Sequence, residues 1–314
     1  MIRVGIDEAG YGPLLGPLVV GAAAFRVPDD GPSLRERLEG IVCRARGRRP
    51  RGDLPVAIDD SKEVKGRYGL EGLCRGVCAA AVGAGRAVPT DLADWLERFG
   101  DRGVEAFAGD PWFEAPARER ISPWEAPAGF RERWLLRGVE PLGLLVSPIT
   151  PAELNEAFDV TGNKARVLFL STMALLVRVL EAWPGEDVTV LLDREGGRLD
   201  YLPYLAEVFP YQGVKARPSP PGEAHYAMRE GGRTVRLAFV TKGDREDLAA
   251  GLASMAAKMT RELFMGRLNA WFLARSPALR PTAGYVEDGR RFLADAAPVL
   301  ERERIDLRRL VRSR

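Results

Sequence analysis

Hydrophobic residues near the start of the chain come in short unbroken runs rather than at helical spacing. Residues 2–7 (IRVGID) and 17–27 (PLVVGAAAFRV) predict two strands, joined by a tight turn through Gly10, Gly12, Pro13 and Gly16. A further strand is predicted over 142–149. It is followed by a helix opened by Thr150 with Glu153 three residues on, in capping-box spacing. A long helix from Asn163 to Ala182 leads to VTVLLD, residues 188–193, which reads as a buried strand. Residues 214–240 read as β-structure around a Glu230-Gly231-Gly232-Arg233 turn. The clearest helix is DREDLAAGLASMAAKMTRELFM, in which Leu248, Leu252, Met255, Met259 and Leu263 form one apolar stripe. Asp247, Ser254, Lys258, Arg261 and Glu262 are expected to border that stripe. Together these elements predict an α/β protein with a mixed sheet.

Three segments break the pattern. Ser33 to Arg51 is dense in arginine and reads as a helix and loop with a solvated face. AIDDSKEVKG, residues 57–66, reads as a polar turn ahead of a helix carrying Leu70, Leu73, Val77 and Ala80. From about 88 to 141, Trp95, Trp112, Trp124 and Trp134 alternate with prolines, which predicts an insertion with little regular sheet. Its aromatics are read as stitching a small subdomain together rather than stacking on bases. The remainder to Arg314 reads as helical and charged.

Composition narrows the chemistry. The 314 residues are 46% hydrophobic and 29% charged, with a net charge of +2, as in an ordinary soluble globular protein. Only six of the 46 basic residues are lysines, an arginine bias that fits either phosphate contact or genomic base composition. Three cysteines, Cys43, Cys74 and Cys78, make neither a disulfide framework nor a zinc site, so reduced thiols and a cytoplasmic location are expected. No apolar run approaches the ~18 residues needed to span a bilayer, and no membrane partner is expected. His225 is the only histidine, which removes histidine-based triads and metal cages unless that one residue carries them.

Chemistry is therefore left to carboxylates, and these stand where strands end. The first strand terminates in Asp7 and Glu8 and the strand at 188–193 terminates in Asp193, although acidic residues are depleted in strands. Strand-end acids in an α/β protein converge on one edge of the sheet, where Glu262 from the long helix could join them. Such a cluster repels itself unless hard divalent cations bind, and two ions ~4 Å apart are the usual clamp for in-line attack on a phosphodiester.

On these residues the chain resembles the type 2 ribonucleases H, the ribonuclease HII family. The resemblance rests on GIDEAGYGPLLGPLVVGA, on Asp60-Ser61-Lys62 and on VLLD ending at Asp193. It rests also on Gly243-Asp244, Ala253-Ser254, Ala257-Lys258, Thr260-Arg261 and Met265, and on Gly284-Tyr285. It implies a mixed five-stranded ribonuclease H-like sheet flanked by helices, over residues 1–270 including the insertion, and a helical C-terminal extension over 271–314.

The resemblance further implies an endoribonuclease that uses two Mg²⁺ or Mn²⁺ ions to cut the RNA strand of RNA:DNA hybrids, or ribonucleotides embedded in duplex DNA. No obligate protein partner is implied. Asp7, Glu8, Asp193 and Glu262 become the catalytic metal ligands, with Glu195 and Asp247 as alternatives for the fourth. Gly10, Tyr11, Gly12, Ser61, Lys62, Ser254, Lys258 and Tyr285 become substrate contacts. Tyr11 stands where the family has arginine, and Glu262 where it has aspartate. Tyr285 is either an aromatic against the sugar or a core tyrosine. A ribonuclease H-like nuclease acting on DNA and a catalytically inactive duplex-binding protein are the alternative functions.

Overall fold

The computed structural model describes residues 1–29, 31–46, 52, 54–116 and 119–313, with Asp244 and Glu246 described by backbone alone. Its strands are β1 (Ile2–Ala9), β2 (Leu18–Arg26), β3 (Val42–Cys43), β4 (Val56–Ala57), β5 (Glu140–Ile149), β6 (Val188–Asp193), β7 (Lys215–Arg217), β8 (Ala224–Glu230) and β9 (Arg233–Val240). Its helices are α1 (Leu34–Arg37), α2 (Ser61–Gly83), α3 (Leu92–Phe99), α4 (Phe130–Leu136), α5 (Pro151–Thr161) and α6 (Lys164–Ala182). They continue with α7 (Leu202–Val208), α8 (Gly243–Glu246), α9 (Leu248–Arg275), α10 (Val286–Asp295) and α11 (Ala297–Arg302).

The main sheet has the order β5-β2-β1-β6-β9-β8-β7. Its first five members are the mixed five-stranded sheet expected: β1 runs antiparallel to β2 and parallel to β6, and β6 runs parallel to β9. The hairpin through Glu230-Arg233 and the short β7 extend it to seven strands, while β3 and β4 pair separately. β2 is buried on both faces, which suits its run of Val and Ala. β5 lies at the edge, where Pro141 and Pro148 cost no ladder hydrogen bond.

Two cores sandwich the sheet. On one face Ile2, Val4 and Ile6 of β1 pack with Val190, Leu237 and Phe239 beneath the apolar residues of α6 and α7. On the other, α9 crosses β1 and β2 at very short range. A Cβ on Gly5 would lie 2.1 Å from the Ala250 nitrogen, so glycine is what lets helix backbone touch strand backbone there. α9 is thus buried nearly all round, with Ser254, Thr260 and Arg261 as enclosed as its leucines; of the polar border expected, Asp247, Lys258 and Glu262 are half-buried, whereas Ser254 and Arg261 belong to the core.

The tryptophan-rich insertion closes the outer side of α9. Trp95 is fully buried and donates from its indole N–H to the Thr260 hydroxyl at 2.8 Å, while Trp112 meets Trp271 edge-on. These rings are core, as expected, and are unavailable to bases.

Two local expectations are corrected. The polar segment 57–66 is not all turn, because Asp60 accepts the Lys62 amide and starts α2 inside it; Gly69, at φ +69°, then interrupts the helix. Of the arginine-dense segment only α1 is helical, and Arg48, Arg49 and Arg51 lie outside the described residues. α9 runs without a break through position 270. Among the described residues no helix is long and apolar enough to cross a membrane.

Candidate metal centre and nucleic-acid cleft

Parallel pairing of β1 with β6, in register from Ile2 with Val188 to Ile6 with Leu192, brings the two carboxyl-terminal strand ends to one edge. Asp7, Glu8 and Asp193 are therefore neighbours, although 186 positions separate the first from the last. One carboxylate oxygen from each lies within 4.8 Å of the others. Asp193 Oδ1 accepts the Lys242 amide at 3.1 Å, in a turn where Lys242 takes a left-handed conformation, φ +60°. Burial pushes the Asp193 carboxyl up from its ordinary value, against the pull of the Lys242 and Arg194 amides. Three hard oxygen donors, with no histidine or cysteine among them, fit Mg²⁺ or Mn²⁺ rather than zinc.

The acids open into a cleft of about 420 Å³. Gly10, Tyr11 and Gly12 line it from the turn after β1, Ser61 and Lys62 from the start of α2, Thr241 and Lys242 from the end of β9, and Ser254 and Lys258 from α9. The Ser254 hydroxyl donates to the Ser61 hydroxyl at 3.0 Å, fixing α2 to α9. Asp60, besides capping α2, accepts Arg245 Nε at 3.0 Å.

The turn itself depends on Gly10, whose φ is +91° and whose Cβ position is blocked by Arg261 and the Pro17 carbonyl. Tyr11 is 36% exposed, with the Lys164 ammonium 4.7 Å from its ring centroid. Burial raises the Tyr11 hydroxyl, and the charges of Glu195 and Glu8 raise it further.

Tyr285 also lines the cleft. At 51% exposure it is not the core tyrosine of the alternative reading. It is moored by the preceding Gly284, whose carbonyl accepts the amides of Leu14 and Leu15 at 2.8 and 3.1 Å.

Glu262 does not join the three acids. Its carboxylate is held by Lys65 at 2.6 Å and by Lys258, one helical turn away, at 3.1 Å. Burial works to raise its carboxyl, but the Lys65 hydrogen bond and the two ammonium charges outweigh burial and leave it below the ordinary value. Asp247 is spent as the cap of α9, accepting the amides of Ala249 and Ala250. Glu195 is nearer the centre. It is half-buried and paired with Arg198 at 2.8 Å. Burial lifts its carboxyl to about 7 against the Arg198 charge, with Glu8 and Asp193 adding to the rise.

A carboxylate lowered by its partners adds stability above the unfolded-state pKa, about 4.3 for glutamate, and loses it as pH falls through the folded value. Glu262→Gln is therefore expected to cost roughly 1–3 kcal/mol at pH 7, with the gap to wild type closing below about pH 4. Denaturant unfolding at several pH values checks this. Mn²⁺ is expected to stabilise the variant as much as wild type; loss of that gain would make Glu262 a ligand.

Two residues at the site carry no legible role in the sequence. Arg261, 1% exposed, donates to the carbonyls of Leu15 and Ala283, and Arg312 reaches the carbonyls of Gly10 and Gly16. The sequence marked Arg261 only through the Thr260-Arg261 match and its place beside the apolar stripe, neither of which assigns it a role; for Arg312 there was no signal.

No known family's sequence profile matches this chain, and no curated protein matches it. Among solved structures it is similar to an RNase HII from Archaeoglobus fulgidus, solved in complex with PCNA. The identity is 16% over 100% of this chain and 95% of that one, with a TM-score of 0.45. It is similar also to ribonuclease H2 from Pyrococcus horikoshii, at 14% identity over 99% and 92% of the two chains, TM-score 0.43. An RNase H3 from Aquifex aeolicus follows at 14% identity, 98% and 70% coverage, TM-score 0.36. These likenesses are distant, and what the chain does must be read from its own residues.

Proposed function

We propose that this chain is a metal-dependent endoribonuclease acting on ribonucleotides in a duplex, either RNA:DNA hybrid or ribonucleotides embedded in DNA. The observation that carries the reading is the convergence of Asp7, Glu8 and Asp193 within 4.8 Å beside an open cleft. Without cations such a cluster is a standing repulsion, and it faces a cleft that also presents Lys62, Lys242, Arg245 and Lys258. Acids with basic neighbours suit a site that takes a divalent ion and a polyanion together.

Mg²⁺ or Mn²⁺, held as two ions by Asp7, Glu8 and Asp193, would supply the charge neutralisation and acidified water that phosphodiester hydrolysis needs. The remaining work falls to the chain's own groups. Lys62 and Lys258 offset phosphate charge, and the Ser61 and Ser254 pair keeps the helices carrying them at fixed separation. The exposed Tyr285 ring offers a flat apolar platform for a sugar. The Gly10-Tyr11-Gly12 backbone approaches the strand without a side chain at either glycine, which suits recognition of a 2′-hydroxyl.

The test is cleavage of three end-labelled duplexes, with Mn²⁺ or with chelator: all DNA, DNA with one internal ribonucleotide, and full RNA:DNA hybrid. Metal-dependent cutting confined to the ribonucleotide-containing duplexes is expected. Cutting of all-DNA duplex would make it a nuclease of another substrate class. Binding without cutting would make it a duplex-binding protein.

A further inference from the structure

Arg312 is 302 positions from Gly10, yet its Nη1 donates to the Gly10 carbonyl. Its Nε and Nη2 donate to the Gly16 carbonyl at 2.7 and 2.5 Å. Its backbone N–H donates to the Leu14 carbonyl at 3.0 Å, and Val311 pairs with Leu15 in an antiparallel bridge. Asn155 of α5 grips the same segment from behind, donating to the carbonyls of Arg308 and Val311, both at 2.8 Å, and accepting the Ser313 amide at 2.6 Å. Residues 308–313 thus form a strap stretched between α5 and the Gly10–Gly16 turn.

The Arg312 guanidinium is buried, and among the described residues it has no carboxylate within ion-pair distance. Burial lowers its pKa, and the nearby Arg261 charge acts in the same direction. Burying a cation is costly, and here the compensating contacts all go to main-chain carbonyls of one turn. What those contacts fix is the direction in which the peptides point. A trans peptide is planar, so the Gly10 carbonyl and the Tyr11 N–H point opposite ways. With the carbonyl turned to Arg312, the Tyr11 N–H is turned away from it. A Cβ on Gly12 would meet no atom within 4 Å, so the next residue borders open space.

We propose that Arg312 is a positioning residue for the cleft, fixing the Gly10–Gly16 turn from the strap so that the turn's amide is presented to the ribose-phosphate strand of the substrate. The substrate named here rests on the nuclease reading above; the strap itself does not.

Arg312→Met and Asn155→Ala release the strap at its two ends. Each is expected to raise KM for the single-ribonucleotide duplex about tenfold, with kcat within about threefold and the Mn²⁺ thermal shift retained. Because both act through one strap, the double variant is expected to be no worse than the more affected single one. Hydrogen exchange across residues 10–16 is expected to quicken in both. Faster exchange with unchanged KM would overturn the proposal, leaving Arg312 a structural residue only. So would joint loss of kcat and of the Mn²⁺ shift, which would mean that the acid cluster had collapsed. If wild type cuts no duplex, the nuclease reading fails, and exchange alone decides the strap: quicker exchange upholds it and unchanged exchange overturns it.

Discussion

Asp7→Asn is expected to lower metal-dependent cleavage of a ribonucleotide-containing duplex by roughly 10³-fold or more, the scale of several kcal/mol of charge stabilisation supplied through a metal centre. The substitution preserves shape, so the fold should persist. With one of three negative charges removed from a cluster whose oxygens lie within 4.8 Å, the variant is expected to melt slightly higher than wild type in metal-free buffer. In Mn²⁺ the order reverses, because wild type gains stability by binding and the variant does not. Thermal melts with chelator and with Mn²⁺, run beside the cleavage assay, read both effects. A variant that keeps the Mn²⁺ gain while losing activity would move Asp7 from metal holding to another role.

The second large effect concerns packing. Gly5→Ala is expected to destabilise the protein by about 3 kcal/mol or more, at or beyond the upper end of ordinary overpacking. The new methyl would sit 2.1 Å from the Ala250 nitrogen and 2.2 Å from the Ala249 carbonyl carbon. These are main-chain atoms of α9 and cannot rotate aside. Either β1 and α9 separate or the fold is lost. Separation would also carry Ser254 and Lys258 away from the acids, so activity is expected to fall further than stability at permissive temperature. Urea unfolding and a cleavage assay well below the midpoint measure the two. A loss under about 1 kcal/mol would show that the helix slides without cost.

The acid trio was readable from sequence because Asp7, Glu8 and Asp193 end two apolar strands, and strand ends in an α/β protein were expected to converge on one edge; the parallel pairing of β1 with β6 that brings them there came from the fold. The start of α5 was readable because Thr150 caps it through a contact with Glu153 only three positions away. Glu262 could not be placed that way. Its spacing from Lys258 fits an ion pair as well as a ligand, and Lys65, which decides the matter, comes from α2. The buried character of Arg261 was hidden because periodicity assumes one covered face, whereas the insertion closes the second side of α9. Arg312 had no local pattern, since its partners lie at the far end of the chain.

That long reach bears on how the protein comes into being on the ribosome. Asp7 and Glu8 emerge first, but Asp193 must be translated before the acidic trio can form, and residue 312 before the Gly10–Gly16 turn is gripped. At about 5–20 residues per second, some 15 s or more separates the first carboxylates from the arginine that steadies the turn beside them. Parallel pairing of β1 with β6 and β9 adds distant contacts that form slowly. Such an order of assembly leaves the acid cluster without its third member until β6 has been made, and the turn beside it ungripped until residue 312 follows.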